Sequence, residues 1–512
     1  VDRGVSHTIA DGHGIYLGFD LSTQSLTVVA LEVAHDGARV VWEHSIRFDD
    51  ALPQFRTVDG VLPSDDPAIA LVPPAMWLAA LELACDAVAA SGLPVERLAG
   101  ISGCAQQHGT VYLAADGTFS RETSPIWRDG STSRQCREIE HAVGGAGVLA
   151  ARTGSRASER FAGPQIRKFW QTEPDRYAST AKIHLISSWL ASVLIGAEAP
   201  IEPGDGSGMN LMDLARGEWW PEAVAATAPD LARRLPSVVP SQTVIGRLAR
   251  QWRERWGFPA APVVAWTGDN PSSLIGLGLV DTRTLGVSLG TSDTVFGVMA
   301  QPRVDPGGIG HVFGAPTGNF MGITVFANGS LTREHVRDLY GMSWSEFSDA
   351  LHHTTPSGDG GLMYPWLVPE ITPVVPECGL RRVGLDPANG PANVRALVEG
   401  QLMSHRLYSQ WMGGQPERLL ATGGASANTA LLRVMADVWQ RPVEVAPDGA
   451  SAALGSALRA WHGVARTSAR PLGWDEVLGR LQRPSPRVIE PRREYASAYQ
   501  ALLTRYAAGV PQ

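Results

Sequence analysis

The feature of this 512-residue chain that most constrains its fold is an internal repeat. Leu17-Gly18-Phe19-Asp20-Leu21-Ser22-Thr23 lies without a gap over Leu285-Gly286-Val287-Ser288-Leu289-Gly290-Thr291, matching at Leu, Gly, Leu and Thr. The offset of 268 residues is about half the chain. Two glycine-containing strand turns can agree by chance. The alternative is a duplicated fold in which one turn from each half faces a shared cleft, a common setting for a ligand. The surroundings of the two copies share a grammar. Strand runs over 16–20, 27–33 and 40–48 precede a helix from Pro73 or Pro74 to Ala90, with Trp77, Leu81 and Cys85 on one face, and a strand over 98–102. The second copy, at 285–289, is followed by strands over 294–299 and 320–326, a helix over 391–412, a strand over 418–421, and helices near 426–440 and 449–463. Strands interleaved with helices predict mixed sheets with helices packed on them.

Composition removes several function classes. A net charge of −8 argues against a protein that coats nucleic acid. Only two lysines are present, Lys168 and Lys182, and neither lies in a G-K-[ST] loop or a V-A-I-K strand, which excludes a Walker-type nucleotide loop and a protein-kinase site. No stretch reaches the roughly 18 apolar residues of a membrane span. Residues 1–14 are polar and are expected to be a leader outside the fold. Cys85, Cys104, Cys136 and Cys378 are scattered without a C-x-x-C pair, so they read as reduced, buried thiols of a cytoplasmic protein.

Chemistry concentrates in a few turns. Gly290, Thr291 and Ser292 follow a strand, and such a turn offers backbone N–H groups and hydroxyls to phosphate oxygens without a lysine. Asp20 occupies the place of Ser288 in the first copy; a carboxylate beside a phosphate turn suggests Mg²⁺ between them. Both can equally be plain hairpin turns. Thr267-Gly268-Asp269-Asn270-Pro271 follows the buried run 263–266. There Asp269 or Asn270 can simply cap the helix that opens at Pro271, or Asp269 can take a proton from a hydroxyl that attacks a phosphate. Gln106-Gln107-His108-Gly109 offers amides and an imidazole to vicinal hydroxyls. Trp127-Arg128-Asp129 and Arg156-Ala157-Ser158-Glu159-Arg160-Phe161 add polyol-binding groups that singly also fit surface salt bridges. Thr422-Gly423-Gly424-Ala425-Ser426-Ala427-Asn428 lets a base or ribose approach the backbone, or is a strand-to-helix turn capped by Ser426.

In order along the chain these segments resemble the FGGY carbohydrate kinases. The resemblance runs from about Tyr16 to Gly463 and includes 102–109, 153–161, Asp205-Gly-Ser-Gly-Met-Asn210, 267–271, 287–294 and 421–426. Within the family it is greatest to the branch that phosphorylates D-xylulose, in its vertebrate-like form. The resemblance implies an α/β fold of two duplicated actin/hexokinase-like (ribonuclease H-like) ATPase lobes around a central cleft, divided as 15–265 and 266–512. It implies transfer of phosphate from ATP to D-xylulose, giving ADP and the 5-phosphate, with Mg²⁺ as cofactor. Another ketopentose or polyol, such as ribulose, is the nearest alternative, and a non-catalytic sugar sensor a more distant one. At matching positions it implies Asp269 as general base beside Asn270, His108 and Arg160 on the sugar, and Asp20 near the metal. Gln107 stands where some bacterial relatives carry Met. For ATP it implies Gly290 and Thr291 on the phosphates, Gly424, Ala425 and Asn428 on the adenosine, and Trp344 as a further nucleotide contact. A sugar-dependent lobe closure that excludes water is expected. So is a monomer or homodimer that binds neither nucleic acid nor membrane.

Overall fold

The computed structural model describes residues 13–356, 361–447 and 449–510. Of the expected leader, residues 1–12 lie outside these, and Gly14 already opens the first strand, paired with Val33. Contacts divide the described residues into two compact units. One is drawn from Val1–Val280, Val312–Phe320 and Gly449–Arg483, the other from Asp281–His311, Met321–Asp448 and Pro484–Gln512.

The first unit is built on a sheet whose strands are β1 (Gly14–Leu21), β2 (Ser25–Ala34), β3 (Gly37–Arg47), β4 (Leu98–Ala105), β5 (Val244–Arg247), β6 (Pro262–Val264) and β7 (Thr267–Gly268). The order is β5-β6-β4-β1-β2-β3, with β7 also pairing with β4. β1 runs antiparallel to β2 and parallel to β4. Alternation along β2 sends Val28 and Ala30 to one face and Val29 and Leu31 to the other. The first face is covered by α1 (Pro74–Ala90), whose Trp77, Leu81 and Cys85 recur every four residues and are fully buried. Each such large side chain contributes about 2 kcal/mol by leaving water. The second face is covered by the helix Ser451–Ala465 through Ala453, Ala457 and Trp461.

That second helix comes down very close, and glycine permits it. A Cβ at Gly18 would run into the Ala453 carbonyl and the Ala457 amide, and one at Gly455 into the Ser272 carbonyl of α2 (Asp269–Gly276). This packing is why 449–483 joins the first unit, and why α2 lies there too. The division expected at 265 and 266 followed chain order; the grouping by contact does not.

The second unit repeats the scheme. Its strands include β8 (Thr284–Leu289), β9 (Asp293–Met299), β10 (Phe320–Phe326), β11 (Arg418–Thr422), β12 (Val443–Val445) and β13 (Val488–Ile489), neighbours in the order β10-β9-β8-β11-β12-β13. β8 is antiparallel to β9 and parallel to β11, as β1 is to β2 and β4. The two copies of the sequence repeat are therefore the equivalent strands β1 and β8, which answers the question of chance similarity. The helices here are α3 (Ser330–Leu339), α4 (Trp344–His353), α5 (Gly390–Tyr408) and α6 (Thr429–Trp439). The helix expected over 391–412 stops at Tyr408 and continues as a short 3₁₀ turn, Gln410–Met412, before Gly413 and Gly414 at positive φ. Among the described residues no helix is long and apolar enough to cross a membrane. All four cysteines are free; Cys85, Cys104 and Cys136 are buried as expected, but Cys378 is exposed, two residues beyond Pro376 in an irregular segment with no core to enter.

Candidate active site

Each unit presents its candidate residues at the carboxyl ends of its parallel strands, the edge at which open α/β sheets bind ligands. In the first unit, Asp20 of β1 pairs with Cys104 of β4, which pairs in turn with Thr267 of β7. Asp269 follows two residues beyond Thr267. Its side chain serves an N–H group of the first helical turn, as the D-N-P sequence allowed, but not from the N-cap position. Gly268 is the N-cap residue and Asp269 the first residue of α2. Its Oδ1 accepts hydrogen bonds from the Asn270 backbone N–H at 2.8 Å and from Asn270 Nδ2 at 3.1 Å.

The two carboxylates are poised against each other. Burial, followed by the charge of Asp20, pushes Asp269 up to about 7, while the backbone N–H groups of Asn270 and Gln107 oppose the rise. Burial pushes Asp20 up to about 6, opposed by the Cys104 thiol, which donates to its Oδ1 at 3.4 Å. The thiol is held well above its usual range by burial and by the charge of Asp20, so it serves as a donor and not as a nucleophile.

The 106–109 segment reaches over from the end of β4. Gln106 N–H is tied to the Leu21 carbonyl at 2.7 Å, and Gln106 Oε1 accepts from Thr23 Oγ1 at 3.1 Å. His108 takes the left-handed backbone, φ +79°, and is buried with its ring 4.2 Å from Phe161. Gly208 makes room for that ring, since a Cβ there would lie 2.6 Å from His108 Nδ1. Asn210, also left-handed and buried, donates from Nδ2 to Thr153 Oγ1 at 3.2 Å and to the Ser155 carbonyl at 3.3 Å. The 153–161 and 205–210 motifs are thus one scaffold around His108. Arg160 lies 5.9 Å from the Trp127 ring and lines a cavity of about 480 Å³ with Trp127, Arg128 and Ser158. Asp129 lines the same cavity and, among the described residues, forms no surface salt bridge. It is turned inward and accepts from the Ala70 and Ser131 N–H groups and from Gln165 Nε2.

In the second unit a cavity of about 860 Å³ gathers all six residues singled out for the nucleotide: Gly290, Thr291, Trp344, Gly424, Ala425 and Asn428. The 290–292 turn leaves β8, and the Gly290 carbonyl accepts from the Ser330 N–H at the start of α3. Gly423 crosses beneath at φ +84°, against the Leu289 backbone, where a Cβ would not fit. Trp344 opens α4 behind a capping box of Ser343 and Glu346; it is 44% exposed, with the Arg337 guanidinium 4.5 Å from its ring centre. Ser426 does not cap α6; Asn428 does, accepting from the Leu431 N–H at 3.1 Å while its Nδ2 donates to Ser348 Oγ at 3.0 Å. Asn428→Ala is therefore expected to cost about 1 kcal/mol through the lost cap and to weaken ADP binding by releasing α6 from α4. Denaturant unfolding and calorimetric titration with ADP check the two effects.

Sequence reasoning missed the floor of this cavity. Arg333 of α3 is buried and donates to both carboxylate oxygens of Asp293, at 2.8 and 3.0 Å, and to Gln401 and Ser330. An arginine in an amphipathic helix reads as solvent-facing until Asp293 is placed opposite it.

Models of the FGGY carbohydrate-kinase family match the chain over 15–276 (the N-terminal domain) and 285–464 (the C-terminal domain). It is 39% identical to xylulose kinase of Rattus norvegicus, over 97% of this chain and 96% of the rat protein. It is 38% identical to xylulose kinase 2 of Arabidopsis thaliana, over 88% of this chain and 87% of that one. Among solved structures, a xyloylose kinase from Brucella ovis superposes with a TM-score of 0.83 at 24% identity, covering 96% of this chain and 98% of the other. A gluconate kinase from Lactobacillus acidophilus superposes equally, TM-score 0.83, at 17% identity over 96% of both chains, so the fold alone does not choose the sugar.

Proposed function

The chain belongs to the FGGY family of carbohydrate kinases, with that family's actin/hexokinase-like α/β units, and on this premise we propose that it transfers the γ-phosphate of ATP to the 5-hydroxyl of D-xylulose with Asp269 as general base. That it is an ATP-dependent carbohydrate kinase follows from the family. The choice of D-xylulose is supported by identity to xylulose kinases over nearly the whole chain. The base is supported by one observation above others: a carboxylate poised at about 7, with Asn270 holding one of its oxygens. A base tuned near the working pH is ionised enough to accept a proton and basic enough to keep it.

In this reading His108, Arg160 and Asn270 bind the sugar hydroxyls, and Asp269 takes the proton of the 5-hydroxyl as it attacks in line. The Gly290–Thr291 turn holds phosphate oxygens through its N–H groups and the Thr291 hydroxyl. Trp344 carries the base of the nucleotide, and Gly424, Ala425 and the capped Asn428 hold its ribose side. Positioning and electrostatics supply most of the acceleration, because an alcohol stays protonated until late.

The residues present fit Mg²⁺. Among the described residues no three His, Cys, Asp or Glu side chains form a cluster able to hold a metal alone. Mg²⁺ needs none, because it is bound by one or two carboxylates together with substrate phosphates. Asp20, a carboxylate facing a second carboxylate with a thiol as donor, suits that role and would hold the ion. Bound there, Mg²⁺ would neutralise phosphate charge and relieve the repulsion between Asp20 and Asp269.

Sugar-dependent ADP release, measured with D-xylulose, L-xylulose, D- and L-ribulose and glycerol, tests the choice. Turnover fastest on D-xylulose is expected. Turnover confined to another sugar replaces the substrate and keeps the base, and sugar binding without turnover would mark a sensor.

A further inference from the structure

We infer that Gln107 is a positioning residue for the reaction: it dictates which way round the Asn270 amide sits, and so that its NH₂, and not its oxygen, meets Asp269. This inference rests on the reading of Asp269 as the base.

Gln107 is buried and engaged at both ends of its amide. Its Nε2 donates to the Gly204 carbonyl at 3.2 Å, and its Oε1 accepts from Asn270 Nδ2 at 3.0 Å. A backbone carbonyl can only accept, so Gly204 fixes the Gln107 amide with its NH₂ toward residue 204 and its oxygen toward residue 270. That oxygen can also only accept. Asn270 must then present its own NH₂, one hydrogen to Gln107 and the other to Asp269 Oδ1 at 3.1 Å. The direction of the whole chain is thus imposed by one peptide carbonyl. Asp269 Oδ1 then takes two donors from Asn270, its backbone N–H and its correctly turned side-chain NH₂.

The anchor at Gly204 is itself fixed. Glu202 caps the single helical turn Pro203–Gly206 by accepting from the Asp205 N–H at 2.9 Å, and it also accepts from the Thr267 and Ser241 hydroxyls. The Gln107 side chain has no room to slide, because Gly268 packs on its Cγ so closely that a Cβ there would overlap it. The link through Gln107 joins three segments remote in sequence and ends on the reacting carboxylate.

Gln107→Met keeps the length and removes both donor and acceptor. Losing an orienting partner behind a reacting group is expected to lower kcat for D-xylulose about 10- to 100-fold while the sugar KM stays within about threefold. In an Asn270→Ala background the same substitution should cost less than about twofold, because the route to Asp269 is already cut. Gln107→Asn, shorter by one methylene and unable to span both partners, should reproduce the kcat loss and guards against a Met variant that fails to fold. A loss carried by the sugar KM would mean direct contact with the sugar and overturns the inference. Losses that multiply in the double variant overturn it as well. Both leave wild-type turnover on D-xylulose, and with it the base, intact; absence of wild-type turnover on every sugar instead fells the reading of Asp269 and this inference together.

Discussion

Asp269→Asn is expected to lower kcat by about 10²–10⁴-fold and, at pH 7.5, to raise the thermal midpoint. The two effects have one cause. The fold holds this carboxylate at about 7 against an ordinary 3.8, chiefly by burial and then by the charge of Asp20. A carboxyl whose folded value is raised costs stability wherever it is ionised in the unfolded chain. The cost is absent below 3.8, grows between 3.8 and 7 while the unfolded group has lost its proton and the folded one keeps it, and is complete above 7, where both are ionised. The difference corresponds to at most ~4 kcal/mol, and burying the replacement amide reduces the expected gain to on the order of 1–2 kcal/mol. Thermal scans from pH 4.5 to 8 check the sign: the gain should fade as pH falls through this window. Wild-type kcat/KM should fall over the same window, since the protonated base cannot accept. A variant no more stable than wild type at pH 7.5, or equally stabilised at pH 4.5, would show that burial and Asp20 do not set the charge of this group. Catalytic groups held in costly environments commonly trade stability for activity in this way.

The second large effect is expected from Arg333→Met. Arg333 and Asp293 are buried together, and removing one charge strands the other. His405, 3.5 Å from Asp293, is held down to about 4 by burial, with the Arg333 charge adding to the lowering and Asp293 opposing it, so beside the intact pair it is neutral at working pH. The expected loss is about 3–5 kcal/mol, or roughly 10 °C in the midpoint of the unit that carries the cavity of about 860 Å³; on the proposed reading ADP binding is lost in step. Adding Asp293→Asn should recover much of it, since a buried pair replaced as a whole costs far less than a broken one. A loss under 1 kcal/mol in the single variant, read by calorimetric unfolding, would show that water reaches Asp293 and that the pair does not brace the 290–292 turn.

What the sequence made legible follows from what local pattern encodes. The seven-residue repeat located the equivalent central strands of both sheets, because a strand that must pass under a close-packed helix needs glycine at one place, Gly18, in the first copy. The residues expected at the nucleotide converge on one cavity because each sits within a residue or two of an element end, where turn chemistry is visible in residue types. Long-range choices were hidden. Asp129 as an inward loop staple and Arg333 as a buried partner depend on residues far away in sequence. The docking of Ser451–Ala465 on the first sheet depends on small residues in α2 and β1 that no periodicity in the helix itself announces. Asp269 read as a cap or as a base; its place inside the first turn of α2 and the charge of Asp20 beside it, remote in sequence, were not legible.

The central claim is the transfer of a phosphoryl group to one hydroxyl of one ketose, and product analysis tests it most directly. The reaction of [5-¹³C]D-xylulose with ATP and Mg²⁺ is followed by ³¹P nuclear magnetic resonance. The account predicts a single phosphomonoester whose phosphorus couples to the labelled carbon, formed in step with ADP and about 10²–10⁴-fold more slowly with Asp269→Asn. A phosphomonoester without coupling to that carbon, or ADP formed with inorganic phosphate alone, would contradict it.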